Sequence, residues 1–340
     1  MNFGILGLDH WYTAFLACDI LSKSSLNSLS AIAATRPIHT QWARETYRDV
    51  PFMDSAEGLL TDPSLECILI CAPTSDAEDY AIQALNAGKH VLAVKPTSNT
   101  LAGMQKILDA SAASQCFYGS FEGLQRLHTK SIKLKEIIES GVLGNVLSVH
   151  QVGNGALPAP WPGAASGEPS WWINPTCIQT GAWMDHAIYA IDLLRFAFTA
   201  EVQSISGHIG NRSHPNLPLE DYGIALLRLQ TSNGPVSVVL ENTWAAKDGG
   251  GVHWMRIVGS DGWLRSEGDS WILTSNGKET IYSWQDEPFF SLDAFANLLT
   301  QHGHMPFSGH DAMENVRVCH RFYASALRDS PLCDTSGQAE

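Results

Sequence analysis

From residue 2 to about residue 120, short apolar runs alternate with helical stretches, and this alternation constrains the fold more than any other feature. The apolar runs are "NFGILGL", "LSAIAAT", "CILICAP", "HVLAVKP" and "QCFYGSF". Between them lie helical patterns from about Tyr12 to Lys23, in "HTQWARETYR", in "AEDYAIQALNAG" closed by Gly88, and in "TLAGMQKILDASAAS". Strands of nearly continuous hydrophobicity are covered on both faces. Strands spaced by helices of this length build a parallel, doubly wound sheet.

After a further helix, "KSIKLKEIIESG", the texture changes. "VLSVHQVG", "EVQSISGHIG", "YGIALLRLQT", "GPVSVVLENTWA", "VHWMRIVGS", "GWLRSEG", "SWILTS" and "ETIYSW" read as strands at short spacing, broken by Gly, Asn or Ser turns. That pattern predicts a second α/β domain with a large, open, mostly antiparallel sheet. A chain of 340 residues is too long for one ordinary core. The expected division is residues 1–120 and 121–340. The intervening loop, 153–180, is rich in Gly, Pro and Trp, and so long a loop in a compact domain is usually functional.

Composition narrows the function. Charged residues make up 16% and hydrophobic ones 44%, enough for a large core. The net charge is −14 with no Lys/Arg block, which argues against nucleic acid or an anionic membrane as partner. Cys18, Cys67, Cys71, Cys116, Cys177, Cys319 and Cys333 are scattered without a Cys-x-x-Cys, as reduced thiols are. The apolar start "MNFGILGL" lacks a basic flank and breaks at Asp9-His10, so it reads as a strand rather than a leader. No run reaches the ~18 to 20 apolar residues of a membrane helix. A cytoplasmic protein is expected. The thirteen His are dispersed without zinc spacing, so no metal is expected.

Two short segments carry the chemistry. Lys95 leaves the strand "HVLAV" just before Pro96, at the carboxyl end of the sheet, where open α/β folds bind ligands. Asp185 and Tyr189 stand four apart on the helix "GAWMDHAIYAIDLLRF" and share a face with Asp192. A Lys, an Asp and a Tyr converging beside a nucleotide-binding sheet can handle the proton while a hydride moves to or from an alcohol carbon. A phenol of pKa near 10 is a poor base at neutral pH. An ammonium such as that of Lys95 would lower it. His186 adjoins the set as an alternative proton acceptor with a better placed pKa.

The layout resembles the glucose-fructose oxidoreductase / inositol dehydrogenase / MocA family. The resemblance rests on "FGILGL", "CAPTSDAEDYAIQALNAGKHVLAVKP", "IIESGVLGNVLSV", the Asp185, Tyr189, Asp192 pattern, "IVGSDGWL" and "FSGHDAMENVRVCHRFYASALRDS". It covers nearly the whole chain. It implies an N-terminal Rossmann domain, a C-terminal domain whose open sheet often joins subunits, a nicotinamide cofactor and a sugar or polyol substrate. It implies that Lys95 holds the reacting hydroxyl and that Tyr189 exchanges its proton while Asp185 orients. Val94 departs from the Glu that usually precedes this Lys, and Tyr189 from the commoner His. Ala72, Pro73 and Thr74 enter as cofactor contacts by this resemblance alone, and Pro96 joins Lys95 beside them.

The loop after the first strand, Gly7-Leu8-Asp9-His10-Trp11-Tyr12, sits where a dinucleotide is cradled. Only the first glycine of that motif remains. Asp9 holds the second glycine's place and is expected to turn away and cap the following helix. Tyr12 holds the third place and is expected to push that helix off the sheet. The second strand ends in Thr35-Arg36 rather than in an acid, which favours NADP(H) without excluding NAD(H). Trp161, Trp171 and Trp172 offer flat indoles to sugar faces or serve as loop anchors, and Arg126 is a further substrate-binding candidate.

The sequence therefore reads as an NAD(P)-dependent oxidoreductase acting on a secondary alcohol of a sugar, polyol or glycoside, and a homo-oligomer. Two alternatives stay open. One is a glycoside-cleaving enzyme that retains its cofactor and oxidises transiently. The other is a silent dinucleotide sensor of the same fold.

Overall fold

In the computed structural model the described residues are 1–328, except 163, 165–167, 248–250, 285, 286, 288 and 289; Cys333 lies outside them. The first part of the chain runs β1 (Asn2–Leu6), α1 (Trp11–Lys23), β2 (Ser28–Ala33), α2 (Pro37–Thr46), β3 (Phe52–Met53), α3 (Ala56–Thr61), β4 (Cys67–Ile70), α4 (Thr74–Asn86), β5 (His90–Ala93), α5 (Leu101–Ser114) and β6 (Tyr118–Ser120). The six strands pair in parallel in the order β3-β2-β1-β4-β5-β6. The central strands are mostly apolar because both faces are covered. Phe3, Ile5, Cys67, Leu69 and Leu92 enter one core, with α1 and α2. Leu6, Ile68, Ile70, Val91 and Ala93 enter the other, with α3, α4 and α5. Gly88 takes a positive φ just beyond α4, as the helix stop in the sequence requires.

A 3₁₀ segment, Phe121–Leu127, leads away from the sheet. There follow α6 (Thr129–Glu139), β7 (Val146–Ala156), α7 (Ala182–Phe198), β8 (Glu201–Gly210), β9 (Tyr222–Thr231), β10 (Gly234–Ala246), β11 (Val252–Gly259), β12 (Gly262–Glu267), β13 (Ser270–Ser275), β14 (Lys278–Ser283), α8 (Leu292–Thr300), α9 (Gly309–Ser325) and β15 (Leu327–Arg328). The second sheet has nine strands in the order β14-β13-β12-β11-β7-β10-β9-β8-β15. Among the described residues of this sheet only β7–β10 and β8–β15 pair in parallel. The fold is thus α/β, with a Rossmann-type parallel sheet followed by a large, mostly antiparallel one.

Each sheet handles its faces differently. Along β9, Gly223, Ala225, Leu227 and Leu229 are buried while Ile224, Leu226 and Arg228 are exposed, a period of two. The buried face packs on α7, and α9 joins it while also touching α5 and β6. One core therefore runs from the parallel sheet through α7 and α9 into the second sheet. The helix α8 goes the other way. Leu292, Phe295 and Ala296 return to the parallel sheet beside α1.

Candidate active site

The site forms where the carboxyl ends of the parallel strands face the start of α7. Lys95 follows β5 and is 1% exposed. Its Nζ donates to Asp185 Oδ1 at 2.6 Å and to the Asp185 carbonyl at 2.5 Å. Trp244, from β10, donates its indole N–H to Asp185 Oδ2 at 3.1 Å. The ammonium also lies 4.4 Å above the Trp172 ring and 5.1 Å above the Tyr189 ring. A buried charge pair tolerates desolvation only with such partners. Burial pushes the Asp185 carboxyl up, but Lys95, His186 and the Trp244 hydrogen bond outweigh it and hold it well below the carboxylate range.

The start of α7 is fixed from outside the helix. Its N-cap, Gly181, has no side chain to offer. The buried carboxylate of Glu220 accepts from the amides of Gly181 at 2.9 Å and Trp183 at 3.3 Å, and from the Tyr323 hydroxyl at 2.6 Å. These bonds set where Asp185 stands.

His186 and Tyr189 face a cleft of about 920 Å³ together with Lys95 and Asp185. Gln125, Gln151, His253 and Tyr12 line it too, with Trp271 and Phe290 as apolar walls. His186 Nε2 lies 3.5 Å from Asp185 Oδ2. Burial lowers the His186 pKa, and Lys95 and His253 add to this against the pull of Asp185, so the ring is neutral at neutral pH. Tyr189 differs from its expected role as a phenol tuned by Lys95. The ammonium sits over its ring face. Burial, with the carboxylates of Glu122 and Asp185 nearby, raises its pKa well above the phenol range.

Asp192 and Arg126 lie elsewhere. Arg126 grips Asp192 with Nε at 3.0 Å and Nη2 at 2.7 Å, and Asn315 donates to the same carboxylate at 2.9 Å. Asp192 is fully buried, so this pair ties α7 to the 3₁₀ segment and α9. Arg126 does not line the cleft. Its partner Asp192 lies 66 residues away, beyond the reach of a local sequence pattern.

The loop after β1 also departs from expectation. Gly7 is required, with φ at +77° and an added Cβ only 2.8 Å from the Ala72 backbone. Leu8 is core. Asp9 does turn, but toward the end of β2 and not onto the helix. It accepts from Thr35 Oγ1 at 2.8 Å and pairs with Arg36 Nε at 2.9 Å, while α1 has no side-chain cap. Burial raises the Asp9 pKa against the opposing effects of Thr35 and Arg36. Tyr12 does not displace α1. Thr13, Ala14, Ala17, Cys18 and Leu21 are its buried residues, whereas Tyr12 is 47% exposed and hydrogen-bonds His10 Nε2 at 3.0 Å. Thr74, buried beside Ala72 and Pro73, donates to the Pro96 carbonyl at 3.0 Å and so ties the loops after β4 and β5 together.

The tryptophans pack on this loop instead of lining the cleft. Trp171 and Trp172 stack at 4.5 Å and are 7% and 3% exposed. The Trp171 indole donates to the Asp9 carbonyl at 3.1 Å. Trp161 stacks on His39 at 3.8 Å, and the Trp11 indole reaches the Ala159 carbonyl at 3.4 Å. Through Ala159 and Trp161 the described part of the long loop straps α1 and α2.

The residues fit a dinucleotide along this strand-end line. His10 Nδ1, Trp172 Nε1 and Thr180 Oγ1 are buried polar atoms without a protein partner, as groups awaiting a polar ligand are. Thr35, Arg36, Thr40 and Arg44 line a second open cleft at the end of β2. Sequence reasoning missed Gln125, Gln151, Trp244, Glu220 and His253, and did not place Tyr12 in the cleft. Only Tyr12 carried a local signal, its glycine place. The others arrive through the second sheet, the 3₁₀ segment and distant loops.

Comparisons with known proteins agree. A model described as an oxidoreductase family with an NAD-binding Rossmann fold matches residues 1–121. The GFO/IDH/MocA C-terminal domain matches residues 131–265. An inositol 2-dehydrogenase of Acidothermus cellulolyticus is 25% identical over 76% of this chain and 69% of its own length. A myo-inositol 2-dehydrogenase of Thermotoga maritima is 26% identical over 60% of this chain and 57% of its own. Among solved structures, an aldose-aldose oxidoreductase of Caulobacter crescentus, complexed with glycerol, has a TM-score of 0.79 at 19% identity, covering 96% of this chain and 97% of that one. A levoglucosan dehydrogenase with NADH and levoglucosan has a TM-score of 0.77 at 18% identity, covering 96% and 97%. At such identities the two structures speak to the fold alone.

The buried His10 makes a test of the site's packing. Burial, then Lys95, pushes its pKa down to about 3, so it folds neutral. The unfolded chain takes up a proton below about 6.5 that the folded chain refuses. Stability from this group is complete above that pH and is lost as pH falls toward 3, by up to about 1.4 kcal/mol per pH unit. Denaturant midpoints of the parent and His10→Gln at pH 7.5 and 4.5 should show a shallower acid loss in the variant. Equal losses would place His10 in solvent.

Proposed function

The chain belongs to the GFO/IDH/MocA family of oxidoreductases, and on that premise we propose that it moves a hydride between a nicotinamide dinucleotide and a secondary alcohol carbon of a sugar, polyol or glycoside. The observation that carries this reading is the buried Lys95–Asp185 pair opening into the cleft beside His186 and Tyr189. When bound, the dinucleotide supplies the hydride chemistry. The protein's part is to hold the alcohol and move its proton. Two of the three Lys95 N–H donors are engaged by Asp185, and the third is left to polarise a substrate hydroxyl. His186, neutral and in the cleft, accepts the hydroxyl proton, and Asp185 Oδ2 stabilises the imidazolium. Tyr189, kept protonated, donates a hydrogen bond that orients the substrate. Trp271, Phe290 and Met255 give the cleft apolar walls, and Gln125 and Gln151 give it amides, a mix suited to a ring with a hydroxyl rim. Relatives named as inositol 2-dehydrogenases support a cyclic polyol.

We assign the open face of the nine-stranded sheet to self-association. Across it Leu226 stands opposite Val239, and Ile224 opposite Glu241, with both Leu226 and Ile224 exposed. Sedimentation should find the parent oligomeric and Leu226→Asp shifted to monomer. A parent that sediments as a monomer would remove the assignment.

The proton acceptor is tested by paired variants in an assay of dinucleotide reduction with inositols, aldoses and glycosides. His186→Gln should lose about 10² to 10⁴ in turnover, the usual value of general base help. Tyr189→Phe should lose about tenfold, one orienting hydrogen bond. The acid limb of the parent's pH profile should lie below about 6.5, because the base works deprotonated and its pKa is lowered. Reversal of the two losses would return the proton to Tyr189.

A further inference from the structure

We propose that Asp9 reads the adenosine ribose of the dinucleotide and makes the site prefer the 2′-hydroxyl form, NAD(H), over the 2′-phosphate form. This rests on the dinucleotide reading above and reverses what Arg36 implies by itself.

In parallel dinucleotide-binding sheets the ribose is held by an acid at the end of the second strand. Here β2 ends in Ala33-Ala34-Thr35-Arg36, with no acid. The carboxylate arrives from the neighbouring loop instead. Asp9 is 5% exposed, and its two oxygens lie against Thr35 and Arg36. The loop is pinned there from both sides. Gly7 N–H donates to the Ala33 carbonyl at 2.8 Å, and Trp171 holds the Asp9 carbonyl at 3.1 Å. A carboxylate offers about four acceptor positions, two on each oxygen. Thr35 uses one on Oδ2, Arg36 one on Oδ1 and the Asp9 backbone N–H a third, which leaves one for a ribose hydroxyl.

A 2′-phosphate meets the opposite environment. Arg36 Nε is committed to Asp9, and Nη1 faces Glu168 at 3.7 Å. Arg44 is paired with Asp54 at 2.5 Å. Beside the cleft at the end of β2, Arg36 therefore faces the carboxylates of Asp9 and Glu168, and Arg44 faces that of Asp54. A guanidinium held between carboxylates has little charge left for a phosphate, and Asp9 repels one directly.

Calorimetric titration with NADH, NADPH, ADP-ribose and 2′-phospho-ADP-ribose tests this without relying on turnover. The parent should bind NADH and ADP-ribose at least about tenfold tighter than the phosphorylated forms. Asp9→Asn keeps the shape and removes the charge. It should weaken the hydroxyl forms about tenfold to a hundredfold while sparing or improving the phosphorylated ones. Arg36→Ala should retain the hydroxyl preference, and it decides the matter if Asp9→Asn does not fold. A parent that prefers NADPH, a ratio unchanged in Asp9→Asn, or loss of the hydroxyl preference in Arg36→Ala overturns the role of Asp9 alone. Binding of none of the four ligands overturns it together with the dinucleotide reading.

Discussion

One buried ion pair organises the molecule. Lys95 belongs to the parallel sheet, Asp185 to α7, and Trp244 to the nine-stranded sheet, and all three meet within hydrogen-bond reach. An ammonium at 1% exposure is costly unless its partner is positioned beforehand. The structure positions it by capping α7 with Glu220 and by placing Lys95 over two aromatic rings. Removing one member of such a pair typically costs about 3–5 kcal/mol, because the other is stranded. The same demand keeps the pair functional. Its polar atoms are satisfied on the protein side and open on the cleft side.

A second constraint follows from the lost glycines. A glycine-rich loop approaches a dinucleotide through bare backbone. Here side chains replace that economy with specific contacts. Asp9 is bound to Thr35 and Arg36, His10 lies under the stacked Trp171 and Trp172, and Tyr12 turns outward to the cleft. The strap supplies the restraint that close helix–sheet packing would otherwise provide, with Trp161 against α1 and α2 and Trp171 on the Asp9 carbonyl. The loop and the strap therefore depend on each other.

Much of this was legible in the sequence, and the remainder has identifiable causes. The longer strands of both sheets declared themselves, through apolar continuity in one and through short spacing between Gly, Asn or Ser turns in the other. The two-residue β3 and β15 and the short α3 carry too little periodicity to be seen. Lys95 and Asp185 were legible because a strand end and a helix face fix where they point. Arg126 was not, since its value depends on Asp192 and Asp311 from distant elements. Trp171 and Trp172 looked like sugar platforms, yet the strap buries them against His10 and Lys95. The Tyr189 reading turned on an orientation that spacing does not give, and here the Lys95 ammonium lies over the ring face. An ammonium over a ring face does not act on the hydroxyl as one beside the oxygen would, and no spacing rule distinguishes the two.

The most direct test of the account is the movement of deuterium. A cyclic polyol deuterated at its secondary carbinol carbons is incubated with the dinucleotide and either the parent or Lys95→Met, and deuterium in the recovered dinucleotide is measured by mass spectrometry. The account predicts transfer by the parent and transfer slowed at least about a hundredfold in Lys95→Met, with dinucleotide affinity retained. Transfer by Lys95→Met at the parent rate would contradict the central place given to the Lys95–Asp185 pair.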